Sequence, residues 1–114
     1  MDLSTKVVYY ITPTGDNPIS DFLDSLSQKQ QAKLIRIFST IEEYGLQSIL
    51  PHIKSLTGYP LWEIRVMGKD NIRALYVRRY KDTIIILHGF IKKNQKTPLK
   101  EINIAMNRYR EIAK

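Results

Sequence analysis

Residues 61–91 read LWEIRVMGKDNIRALYVRRYKDTIIILHGFI. From Leu61 to Met67 the chain alternates Trp62, Ile64 and Val66 with Glu63 and Arg65, the period of two expected of a strand covered on one face. Gly68-Lys69-Asp70 has turn chemistry, Ile72 to Arg79 is strand-forming again, Lys81-Asp82 is a second turn, and Thr83 to Ile91 is a third strand. Connections this short join antiparallel neighbours, so the stretch predicts a three-stranded antiparallel meander. Its third strand is the most continuously apolar, which places it in the interior of a sheet.

The flanks complete the architecture. Lys6 to Ile11 is β-branched and aromatic and reads as a strand. Asn17-Pro18 offers an N-cap followed by proline at the first helical position, and Ile19, Phe22, Leu23 and Leu26 recur at helical spacing. Ser27 and Gln30 match a capping box. The helix they open carries Leu34, Ile35, Phe38 and Ile41 on one stripe, and Gly45 suits a left-handed end. Thr97-Pro98 starts a last helix with Ile102, Ala105, Met106, Tyr109 and Ile112 as its buried stripe. The order β-α-α-β-β-β-α predicts an α+β fold: an antiparallel sheet packed by an N-terminal helical hairpin and a C-terminal helix.

At 114 residues the chain fits one domain, residues 1–114, with enough length to bury a core. It has no cysteine, which removes disulfides and thiolate metal sites and suits a reducing cytoplasm. No stretch is long and apolar enough to span a membrane, and Met1-Asp2-Leu3-Ser4 lacks the pattern of a signal peptide. The net charge of +7 is unevenly placed. Residues 1–51 hold four Lys/Arg and six Asp/Glu (4 − 6 = −2), and residues 52–114 hold fourteen and five (14 − 5 = +9). A basic C-terminal portion points to a polyanionic partner; the bland alternative is a solvated surface.

The sequence contains no phosphate loop, dinucleotide fingerprint, HExxH or EF-hand pattern, and its two histidines, His52 and His88, are far apart, so neither a metal nor a cofactor is expected. Candidate chemistry gathers around the meander. Arg65 and Arg73 lie within strands, where a guanidinium fork is held rigidly enough to grip a phosphate; the alternative is a cross-strand ion pair with Glu63. Lys92, Lys93 and Lys96, with Lys54 as a possible addition, suit electrostatic stabilisation of a phosphoryl transition state; the alternative is a solvated charge run before a helix. His88 has the ordinary pKa for proton transfer, against the alternative of a hydrogen-bonded packing residue. Phe90 and Tyr76 offer stacking faces for a base, or core, and Tyr80 offers a further ring. Trp62 is expected to anchor the core.

Lys54-Ser-Leu-Thr-Gly58, Leu61-Trp-Glu-Ile-Arg65, Asn71-Ile-Arg-Ala-Leu-Tyr76 and His88-Gly-Phe-Ile-Lys-Lys-Asn-Gln-Lys-Thr-Pro98, in that order, resemble the phage-derived, HigB-like branch of the RelE/HigB toxin superfamily. The resemblance covers roughly residues 6–112. It implies a type II toxin–antitoxin system and a metal-independent endoribonuclease that cuts mRNA on the ribosome in the cytoplasm. It also implies a hetero-oligomer with a helix-turn-helix antitoxin. By matching position it assigns Arg73 to phosphate contact and Lys54, Lys93 and Lys92 to the basic positions before and after the strands. The late tyrosine frequent in the superfamily has no counterpart soon after Lys96, and His88 stands as its substitute. A non-catalytic nucleic-acid-binding or phage-regulatory protein on the same fold is the alternative.

Overall fold

The computed structural model describes residues 5–66, 68–93 and 96–113. The expected strand end at Met67, the expectation for Met1–Ser4 and the Asn94-Gln95 part of the basic stretch lie outside the described residues. The elements are β1 (Lys6–Tyr9), α1 (Pro18–Ser25), α2 (Gln28–Tyr44), a 3-10 segment (Leu46–His52), β2 (Ile53–Ser55), β3 (Trp62–Arg65), β4 (Ile72–Arg79), β5 (Thr83–Ile91) and α3 (Leu99–Ile112). The fold is α+β, with five strands in the order β1-β5-β4-β3-β2.

The meander is antiparallel, as its turns require, and β5 is interior. Two features go beyond the sequence reading. Lys54 lies on a short strand of its own, β2, antiparallel to β3. The first strand joins the sheet parallel to β5, with Lys6 opposite Thr83.

Local chemistry sets the helices. Asn17 accepts the Ser20 N–H and Pro18 occupies the first helical turn of α1. Ser27 and Gln30 form the reciprocal capping box of α2. The Gln30 amide also donates to Asp70, which Lys33 reaches at 3.0 Å, so one end of α2 is tied to the β3–β4 turn. Gly45 ends α2 at φ 84°, ψ 169°, a positive φ only glycine tolerates easily but outside the left-handed helical well expected for it. Ile35 is exposed rather than on the covered stripe; Ile37 packs inward instead.

The sheet has a core on each face. Helices α1 and α2 cover Ile64, Val66, Ile72, Ala74, Tyr76, Ile84 and Ile86. Helix α3 covers Leu61, Leu75, Val77, Leu87 and Phe90 through Ile102 and Ala105. A β-bulge determines which residues of β5 face α3. Leu75 pairs with His88 and Tyr76 with Ile86, leaving Leu87 as the extra residue. Ile84 and Ile86 therefore face the hairpin while His88 and Phe90 face α3.

Gly89 lets α1 approach the sheet. A Cβ there would meet the Phe22 ring at Cδ2 and, at 2.6 Å, at Cε2. Gly89→Ala is expected to cost about 1–3 kcal/mol through overpacking. Combined with Phe22→Ala it should cost less than the two single changes summed, as read from urea unfolding midpoints.

Candidate nucleic-acid interface

The strand register brings Lys54, Glu63, Arg65, Arg73, His88 and Phe90 onto one face, the α3 side. Lys54 is opposite Glu63, Glu63 opposite Leu75, and Leu75 opposite His88. One row further along, Arg65 is opposite Arg73 and Arg73 opposite Phe90. The chain leaves β5 immediately beyond this second row, where the Lys92 N–H still bonds the Asn71 carbonyl. Arg73 and Lys54 thus share one face, with Lys92 and Lys93 next to its edge.

Glu63 is the organising group. It is 1% exposed, and a carboxylate is rarely so deep without partners. Arg73 Nε lies 3.3 Å from its Oε1, an ion contact in which the N–H is not directed at the oxygen. The Thr97 hydroxyl donates to its Oε2. Thr97 therefore bonds the sheet rather than capping α3, whose N-terminus at Pro98 has no side-chain cap among the described residues. Glu63 ties together a strand arginine and the segment that carries the lysines.

The charge on this face is unbalanced. Arg65 and Arg73 face one another across the ladder, and like charges in that position repel. Among the described residues the Arg65 Nε is buried with no hydrogen-bond partner, and Arg73 donates from Nη1 to the Ile72 carbonyl at 3.1 Å. Arg73 is 12% exposed, while Lys54, Lys93 and Lys96 are exposed and Lys92 is half-buried. Two guanidiniums and one carboxylate leave an excess of positive charge with unsatisfied donors, and an anion would supply what is missing.

Phe90 and Tyr76 take their core alternative rather than offering a face to a base, and Trp62 leaves the core expected for it. Phe90 is 5% exposed and packs under α3, where no base reaches its face. Tyr76 is 2% exposed and belongs to the opposite, hairpin face of the sheet; burial pushes its hydroxyl up to about 12. Trp62, expected in the core, is 42% exposed, because β3 lies near the sheet edge and the hairpin does not extend over it.

His88 fills its packing alternative. Its ring stacks on Phe90 with centroids 5.6 Å apart, its Nε2 is 2.9 Å from Glu101 Oε1, and its Nδ1 is 3.4 Å from Arg108 Nη1. The tautomer that satisfies both donates from Nε2 and accepts at Nδ1. Arg108 also donates to the Leu87 carbonyl at 2.7 Å and lies 5.3 Å from the centre of the Tyr10 ring. Sequence reasoning gave no site role to Glu101, Arg108 or Thr97; for Glu101 and Arg108 the available signal was their helical spacing on the covered side of α3, while Thr97 was read only as part of the helix start.

Burial holds the His88 pKa below its usual value of 6.5; Glu101 opposes that shift and Arg108 adds to it. Below about 6.5 the unfolded chain takes up a proton that the folded chain resists, so the stability from neutral His88 is complete above 6.5 and is lost as pH falls through the folded value. Melting temperature should drop from pH 7 to pH 5, and the drop should shrink in His88→Gln.

A five-stranded sheet with a helical hairpin on one face, and α3 with a cationic cluster on the other, defines the chain as a RelE-like α+β protein. Residues 21–110 match the model of the family described as "Phage derived protein Gp49-like (DUF891)", and the chain belongs to that family, a RelE-like one associated with toxin–antitoxin systems. A search of curated proteins finds no match. Among the described residues, no helix is long and apolar enough to cross a membrane.

Proposed function

We propose that this chain is the toxin of a type II toxin–antitoxin system, of the HigB-like branch, and that it cleaves mRNA on the ribosome in the cytoplasm. The single observation that carries this reading is the Arg65–Arg73 pair, held opposite one another on a rigid sheet with one buried carboxylate, Glu63, in contact with Arg73. That arrangement suits a phosphodiester, which supplies the absent negative charge and accepts the unused N–H groups.

In the proposed reaction the RNA 2′-oxygen attacks the adjacent phosphorus and the bond to the 5′-oxygen breaks. The products are a 2′,3′-cyclic phosphate and a 5′-hydroxyl. The 2′-hydroxyl proton leaves to solvent or to a group of the ribosome–RNA complex, and the departing 5′-oxygen takes up a proton. Arg73 and Arg65 hold the phosphoryl oxygens, and Lys93, Lys92, Lys96 and Lys54 offset the charge that grows on them. His88 is committed to α3, so it serves the site by keeping that helix in place. With His88 so engaged, alignment by the ribosome is the larger contribution, a term worth roughly 7–11 kcal/mol in well-oriented reactions. DNA lacks the attacking hydroxyl and is not cut.

The matching partner is a helix-turn-helix antitoxin. Induction of the chain should arrest growth and leave new 5′-hydroxyl ends in translated message. If growth continues and ribosome-bound mRNA stays intact while purified protein still binds RNA, the non-catalytic nucleic-acid-binding reading takes its place.

A further inference from the structure

The hairpin face of the sheet holds a cavity that the cationic face does not use. It has a volume of about 410 Å³ and opens beside the end of β4. Trp62 and Tyr44 wall it, Tyr76 lies at its floor, and Arg78, Lys81 and Asp82 stand at its mouth. By register Trp62 and Tyr76 are opposite one another on the face that carries Ile64 and Ala74, away from Arg65 and Arg73.

Two observations point to a ligand. Two large rings, Trp62 and the 63%-exposed Tyr44, stand partly in water at one concavity, where an aromatic surface is available for stacking. Arg78 and Lys81, both at this concavity, make no ion pair among the described residues, so their charge is open to an anion. The polar groups narrow the class. Arg78 and Lys81 select an anion, and Asp82 accepts from hydroxyls or an amine. The volume falls in the range of about 300–1,000 Å³ typical of small-molecule sites.

We propose that this cavity binds one nucleotide, its base against Trp62 and its phosphate on Arg78 and Lys81. The nucleotide comes either free or as one unit of an RNA strand. The inference stands apart from the cleavage reading, since none of these residues lies on the cationic face.

The chain has one tryptophan, so indole emission reports this cavity alone. Titration of the whole protein with AMP should quench it saturably, with a Kd below about 1 mM. Adenosine should bind more weakly. Arg78→Ala/Lys81→Ala should weaken AMP about tenfold, equivalent to one decade in Kd, and leave adenosine unchanged. Arg65→Ala should leave the AMP curve unchanged. An oligoadenylate that binds more tightly than AMP and displaces it assigns the site to RNA; the reverse order assigns it to a free nucleotide. The proposal is overturned if AMP gives no saturable quench, if the double substitution has no effect, or if Arg65→Ala abolishes the signal. Quenching by an acidic poly(Glu,Tyr) copolymer with none by AMP would overturn it in favour of a protein partner.

Discussion

Arg73→Ala should lower cleavage of ribosome-bound message about 100- to 1,000-fold, the loss typical when one preorganised donor to a developing oxyanion is removed. The same substitution should also destabilise the fold. It leaves Glu63, 1% exposed, with Thr97 as its remaining side-chain partner, and breaking one side of a buried ion pair costs about 3–5 kcal/mol. Loss of activity in this variant alone would therefore be ambiguous. Arg73→Met/Glu63→Leu resolves it. Replacing both charges with apolar groups of similar size is often neutral or stabilising, so urea unfolding should return close to wild type while cleavage stays absent. A double variant that recovers both stability and cleavage would show that Arg73 acts only through the fold. Glu63→Gln keeps the shape of the carboxylate and its bond from Thr97, and it should retain the fold while loosening the placement of Arg73.

Arg108→Ala should give the second-largest effect, on stability. The substitution removes a charge-assisted bond to a backbone carbonyl of β5, a contact with the Tyr10 ring and the group facing His88 Nδ1. A hydrogen bond from a charged group contributes about 1.5–3 kcal/mol and a cation–π contact about 0.5–1 kcal/mol. The sum, roughly 2–4 kcal/mol, should appear as a lower urea midpoint with an unchanged slope. Arg108→Lys keeps the charge but not the planar fork, and should fall between wild type and alanine. An alanine variant as stable as wild type would mean that α3 is held by Ile102 and Ala105 alone.

The legible parts of the fold were those written in neighbouring residues. Asn17-Pro18, Ser27 with Gln30, and the alternation through Ile64 and Ile72 each carry their structural reason within a few positions, and each element appeared where that reason placed it. Long-range choices were not legible. Nothing local in Lys6–Tyr9 says that it will run parallel to β5. The bulge at Leu87 lies in an unbroken apolar run, and alternation counted through such a run cannot reveal where its parity changes.

The candidate site shows the same division. That Arg65 and Arg73 share a face with Lys54 follows from hairpin geometry once the turns are known. The burial of Phe90 and Tyr76 does not, because an aromatic residue in a strand reads the same whether a helix covers it or not. The same ambiguity hid Trp62, whose side of the sheet was as expected but whose cover was not. The Thr97–Glu63 bond joins residues 34 apart and required the path of the chain after β5.

The parallel seating of β1 also bears on synthesis. Lys6 pairs with Thr83, so β1 must wait for β5 to be made. At about 5–20 residues per second the delay is roughly 4–15 s, long beside the microseconds in which a local hairpin closes. Throughout that interval the nascent protein lacks a finished sheet, and β1 stays without its hydrogen-bonding neighbour until the ribosome has added Thr83 and the residues that follow it.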